Sequence, residues 1–162
     1  CILAARQAGA GEIVVCDLTD QALEFATRIG ADKTINVSGE PDALAQFSDN
    51  KGYFDICIEA SGSEQALHSA LTVVRPRGTI VQLGLGGDMS VPMNMVVAKE
   101  IQLVGSFRFH EEFSQAVKLI SSKDVDVKPL ISATLPLVDA VEAFELANDR
   151  SRAMKVQLSF QD

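Results

Sequence analysis

The sequence predicts an α/β protein: a doubly wound parallel sheet with helices on both faces. Three observations carry that reading. Short apolar runs of strand length alternate with stretches of helical periodicity along the whole chain. The runs lack the in–out alternation of a half-solvated sheet, so their strands are expected to be buried on both faces. The runs end on glycines, small residues or an acid, with no low-complexity linker or internal repeat between them.

Taken in order, CILAARQAGA consists of good helix formers and stops at Gly9 and Gly11. EIVVCD then reads as a strand, and TDQALEFATRIGAD as a helix capped by Thr19 or Asp20 and stopped by Gly30. The apolar positions Ala22, Phe25, Ala26 and Ile29 of that helix share one face. KTINV is a short strand, and EPDALAQFSDN a short helix with Pro41 near its first turn. The pattern repeats with the strand YFDICIEAS, the helix SEQALHSALTVV, a turn at RPRG and the strand TIVQLGLG. KEIQLVGSFRF is a further strand and EEFSQAVKLISS a helix. The extended VKPLISATLPL, the helix LVDAVEAFELAND and the strand KVQLSF complete the chain.

At 162 residues the chain has the length of one domain and can bury a core without disulfides. A formal charge of −8 argues against a nucleic-acid partner, and no apolar run is long enough to span a membrane. Cys1, Cys16 and Cys57 share no metal-ligand spacing. Cys16 and Cys57 lie inside apolar runs, as small core hydrophobes do, and the scattered set fits a reducing cytoplasm. The chain opens on Cys, directly in helical pattern, and is expected to be a fragment.

In a doubly wound sheet, ligands bind beyond the carboxyl ends of the strands. Asp17 closes an apolar run at such an end. There it reads either as the acid that accepts hydrogen bonds from an adenosine ribose, favouring NAD over NADP because a carboxylate repels a 2′-phosphate, or as a helix cap. The glycine-rich G-x-G-x-x-G turn belongs about 20 residues upstream. That position falls before Cys1, and GAG at 9–11 enters a strand rather than leaving one. The first strand and its phosphate-binding loop are therefore expected to be missing. Its neighbours would then have unpaired edges, to be filled or covered by a second chain or closed by the two halves meeting.

IEASG at 58–62 and QLGLGGD at 82–88 end strands in small residues, which let a cofactor lie against backbone. Arg108, between Phe107 and Phe109 in GSFRFH, is either a cleft arginine or an exposed strand-end charge. His68 and His110 have no metal partner at ligand spacing and read as surface or capping residues.

The segments EIVVCDLTDQALEFATRIGAD, GYFDICIEASG, GTIVQLGLGG, KEIQLVGSFRF, VKPLISATLPLVDAVEAFELA and KVQLSF together resemble the medium-chain dehydrogenase/reductase superfamily. Within it they resemble the zinc-dependent polyol dehydrogenases of the sorbitol and L-idonate group. The resemblance implies that residues 1–162 are a truncated NAD-binding Rossmann domain, without the separate catalytic zinc domain. It assigns cofactor contacts to Asp17, Ala60, Ser61, Leu83, Gly84, Leu85, Ser106, Phe107, Arg108 and Lys155. No catalytic or metal-binding residue is assigned, since zinc would be held by the absent domain.

The implied substrate is a polyol or sugar acid, and the implied partner a second copy paired through the Met89–Met93 edge region. The family often has a basic residue where Ala22 stands, which weakens the expected adenosine contact. The fragment alone is expected to be inactive. A non-catalytic nucleotide-sensing or assembly module stands as the alternative.

Overall fold

A computed structural model of the protein describes residues 1–40, 42–149 and 151–160. These form two compact units: Cys1–Ser38 together with the chain from Glu111 onward, and Gly39–His110.

The first unit contains α1 (Ile2–Gln7), β1 (Val14–Asp17), α2 (Asp20–Arg28) and β2 (Lys33–Asn36). β1 and β2 pair in parallel, Val14 opposite Lys33 and Asp17 opposite Asn36. α2 buries Leu23 and Ala26, with Phe25 and Ile29 half-buried beside them. Arg6 ties α1 to the loop before β2, donating to Gly30 O (2.9 Å) and Asp32 Oδ2 (2.6 Å), while Asp32 also accepts from Ile13 N–H. The guanidinium and that backbone bond hold the Asp32 carboxyl below its usual range.

The second unit contains β3 (Phe54–Glu59), α3 (Glu64–Val73), β4 (Val74–Gln82), α4 (Met93–Ala98) and β5 (Gln102–Gly105), in a parallel sheet of order β3-β4-β5. Leu67, Leu71, Val74, Ile80 and Ile101 form its core, with Cys57, Met89, Val91, Met95 and Val96 packed around them. α3 is capped by Ser63, whose side chain accepts from Ala66 N–H. Lys99 closes the other end, its Nζ donating to Leu71 O, Thr72 O and Val74 O at 2.7 to 3.0 Å. Back in the first unit, α5 (Glu111–Ser121) precedes the parallel pair β6 (Ile131–Pro136) and β7 (Lys155–Ser159), which are joined through α6 (Ala140–Asn148).

Every ladder is parallel with a helix in the crossover, as the alternating pattern predicts. The strands are nonetheless distributed over three sheets among the described residues, β1-β2, β3-β4-β5 and β6-β7. The strands are also more open than their composition suggests. Cys57 and Ile80, paired across β3 and β4, pack on the core, whereas all of β5 is exposed, as are Ile56 and Ile58 on β3. Cys16 is likewise exposed, whereas Cys57 lies half-buried against the core.

Two local expectations change, and one element is new. RPRG is part of β4 rather than a free turn. Arg77 takes a left-handed φ of 63° and the register jumps from Phe54 opposite Val74 to Ile56 opposite Thr79, forming a bulge. The stretch 42–51 folds as 3-10 turns at Ala45–Phe47 and Asp49–Lys51 rather than an α-helix, with Asn50 in the left-handed region inside the second; Pro41 lies outside the described residues. α4 is a helix that the sequence pattern does not announce.

Leu71 is fully buried, so Leu71→Ala is expected to cost about 2–5 kcal/mol in urea unfolding. Val138→Ala, at a side chain 89% exposed, should stay within about 0.5 kcal/mol of wild type.

Candidate functional site

β3, β4 and β5 end level with one another: Glu59 stands opposite Gln82 and Gln82 opposite Gly105. The segments that follow, 60–62, 83–86 and 106–108, therefore leave the sheet side by side at its carboxyl edge. Ser106 N–H donates to Gln82 O (3.0 Å), while Leu83 N–H and Gly84 N–H donate to Glu59 O (2.7 and 3.0 Å). Parallel register thus assembles Ala60, Ser61, Leu83, Gly84, Leu85, Ser106, Phe107 and Arg108, which are far apart in the chain, along one edge.

The first two segments touch backbone to backbone. A Cβ added to Gly84 would stand 1.9 Å from Gly62 N, and one on Gly86 would stand 1.7 Å from Gly62 O. Glycine is required at both positions for the segments to meet. Beside them lies an open cavity of about 400 Å³, lined by Gln82, Gly84, Leu85, Gly86, Met89 and Leu103 among others.

Glu59 lies within IEASG, a segment the sequence singled out only for its small residues. It is 4% exposed, the buried charge among the described residues. Oε1 accepts from Ser61 N–H (2.7 Å), Ser61 Oγ–H and Gly62 N–H (3.1 Å). Oε2 accepts from Gly62 N–H (3.0 Å) and Gln82 Nε2–H. Burial by itself pushes the carboxyl pKa up, but these donors outweigh it and hold it below the ordinary glutamate range. Gln82 Nε2 also donates to Gly84 O (3.0 Å), which leaves Gln82 Oε1 buried without a partner. Turning the amide over would set that oxygen against two acceptors, so the unsatisfied atom, worth about 1–3 kcal/mol, is tolerated. The signal in the sequence was an acid closing the apolar run FDICIE, the same pattern that singled out Asp17.

Asp17 ends β1 in the other unit. Its Oδ1 accepts from Thr19 N–H and Thr19 Oγ–H, both at 3.0 Å, in a local turn. Thr19 is the N-cap residue of α2, without a side-chain capping bond. Asp17 Oδ2 has no hydrogen-bond partner among the described residues. Lys155 is exposed at the first residue of β7, the amino end of its strand. Arg108 follows β5 in a left-handed conformation (φ 62°), exposed, with its guanidinium 4.9 Å from the centre of the exposed Phe107 ring. That stacking answers how a charge is accommodated between two phenylalanines.

Met89–Met93 is not a strand. Met89 and Val91 pack on the core, α4 starts at Met93, and Ser90 is held to α3 through Glu64 Oε2 and His68 Nε2–H. No three His, Cys, Asp or Glu side chains are grouped to hold a metal among the described residues, and no helix among them is long and apolar enough to cross a membrane.

Parallel βαβ connections with a ligand edge at the strands' carboxyl ends define a Rossmann-type fold. The family model "Zinc-binding dehydrogenase" matches residues 1–122. The chain is 39% identical over 160 residues to an L-idonate 5-dehydrogenase (NAD(P)(+)) of Escherichia coli, covering 98% of this chain and 46% of that protein. It is 33% identical over 161 residues to the sorbitol dehydrogenase of Ovis aries, covering 97% and 45%. The crystal structure of the Escherichia coli L-idonate 5-dehydrogenase superposes with a TM-score of 0.91, over 98% of this chain and 46% of that one. The chain belongs to the zinc-binding dehydrogenase family, in its medium-chain polyol dehydrogenase group, and spans a little under half the length of these relatives.

The Glu59 carboxylate binds its proton less readily folded than unfolded. Its stabilising contribution is therefore complete above the ordinary glutamate range and is lost as pH falls from that range down through the lower folded pKa. Unfolding measured against pH should show stability declining below about pH 5. Glu59→Gln should flatten part of that decline, the remainder belonging to Asp32 and Asp149, whose carboxyls are also held low.

Proposed function

We propose that this chain is the cofactor-binding portion of an NAD-dependent, zinc-dependent dehydrogenase that oxidises a secondary alcohol of a polyol or sugar acid, of the sorbitol or L-idonate type. The observation that carries the reading is the carboxyl edge of β3-β4-β5, where three adjacent strand ends present small residues and backbone around glycine-on-glycine contacts. It is supported by the name of the Escherichia coli relative, an L-idonate 5-dehydrogenase (NAD(P)(+)), and by that of the sheep sorbitol dehydrogenase.

Residues of each unit, taken separately, suit a part of a dinucleotide. Ala60, Ser61, Leu83, Gly84 and Leu85 would lie along its nicotinamide half, with Ser106, Phe107 and Arg108 toward the substrate side. Asp17 has one carboxylate oxygen committed to Thr19 and the other without a partner, which suits a ribose hydroxyl donor and repels a 2′-phosphate. Lys155 is exposed, as a residue approaching the pyrophosphate must be. When bound, the nicotinamide would supply the hydride-accepting carbon, and zinc, held by residues beyond this chain, would polarise the alcohol oxygen.

This chain's residues would bind and orient, with no catalytic group of their own, so the isolated chain would be inactive. The complete enzyme would work in the cytoplasm as a homo-oligomer, its contact drawing on the Met89–Met93 region and the exposed Met93 and Val97 of α4.

Protein from the complete gene is expected to reduce NAD with sorbitol, xylitol or L-idonate and to lose that activity to a zinc chelator. Asp17→Asn should shift the NAD:NADP preference toward NADP by on the order of tenfold, about 1.4 kcal/mol. Equal use of both cofactors by wild type would overturn the role given to Asp17. Absence of both activity and NADH binding would favour the non-catalytic module.

A further inference from the structure

We infer that Glu59 is a positioning residue of the cofactor site, whose buried carboxylate sets the 60–62 and 83–86 segments as one surface. The inference rests on the cofactor-binding reading above and adds a residue to it that would not itself touch the cofactor.

Glu59 acts on both segments at once. Its carboxylate collects the N–H groups of Ser61 and Gly62 and the Ser61 hydroxyl, which bends the chain back over the end of β3. Through Gln82 Nε2 it also reaches β4, and Gln82 in turn holds Gly84 O. Its own carbonyl accepts from Leu83 and Gly84. A Cβ on Gly84 would meet Glu59 Oε2 at 2.7 Å, so the carboxylate also closes the space beneath the second segment.

Each of these bonds needs an acceptor, and a carboxylate is the side chain that accepts at every lone pair. The unpartnered Gln82 Oε1 shows which demand prevails: the amide is turned to serve Glu59 and Gly84 O even though its oxygen goes unsatisfied. A fold built for stability alone would have little reason to bury this charge, since apolar packing of the same volume generally serves at least as well. What the charge adds is a fixed placement of two backbone segments that the register brings to the ligand edge.

Ordinary destabilisation has its own control in the same sheet. Lys99 is a hydrogen-bond hub of similar size, but its three acceptors lie at Leu71, Thr72 and Val74, on the far end of α3 and the start of β4. Lys99→Met should lower the melting temperature and leave cofactor affinity unchanged.

The test uses the full-length protein and NADH as the probe. Glu59→Gln keeps the shape but replaces one acceptor by a donor facing donors. It is expected to weaken NADH binding by tenfold or more and to raise KM for NAD by a similar factor, with KM for the alcohol within twofold of wild type. Amide exchange at Ser61, Gly62, Leu83 and Gly84 should quicken together. Should Glu59→Gln not fold, Glu59→Asp, which keeps the charge on a shorter stem, should show about a threefold to tenfold loss with the same split between the two KM values.

Two results would overturn the inference. One is NADH affinity within twofold of wild type in a folded Glu59 variant; the other is equal loss of affinity in Lys99→Met at matched melting temperature. Both leave the cofactor-binding reading standing. Failure of wild type to bind NADH overturns that reading instead, and is seen before any variant is made.

Discussion

A carboxylate removed from water at the end of β3 is the constraint on which the carboxyl edge of the second unit depends. Left alone, the Glu59 charge would either carry a large desolvation cost or take up a proton. Donors from the turn immediately after it and from the neighbouring strand make burial sustainable. The same donors thereby lose their freedom to point elsewhere. The turn at 60–62, the amide of Gln82 and the course of 83–86 are solutions to one electrostatic problem.

The glycines then follow from the closeness this arrangement demands. Once Glu59 O accepts from Leu83 and Gly84, the second segment runs against Gly62, and no side chain can be admitted at 84 or 86. The sequence reads these residues as room for a cofactor against backbone, and the structure gives Gly84 and Gly86 a long-range contact with Gly62 as well. Arg108 is a comparable case. A charge between two phenylalanines suggests a buried partner, whereas the strand has already ended at Gly105 and the guanidinium lies over its neighbour's ring in the open.

Much of the fold was legible because its signals are local. Apolar runs, helical faces and stop residues placed β1, β2, β3, β6, β7 and most helices within a few positions. The misses have non-local causes. β4 absorbs RPRG because Arg77 can enter the left-handed region while Gly78 sits tight against Val74 and Asp55, a bulge visible only once β3 lies beside it. α4 escaped because MNMVVA has no polar face to mark its period; Met95 and Val96 give it a reason to be a helix by packing on the core. Cys16 is open rather than buried because composition reports how apolar a strand is, not how many of its faces are covered.

The sequence by itself determined the parallel α/β class, the strand ends to inspect and the acid at Asp17, since periodicity, turn chemistry and charge placement are properties of neighbouring residues. Tertiary structure decided the register that sets Glu59 beside Gln82 and Gln82 beside Gly105, and hence which loops share an edge. It also decided that Glu59 rather than any loop residue organises that edge. Hydrogen bonds between residues more than twenty positions apart have no local signature, so a buried carboxylate and an exposed one read alike until the strands are paired.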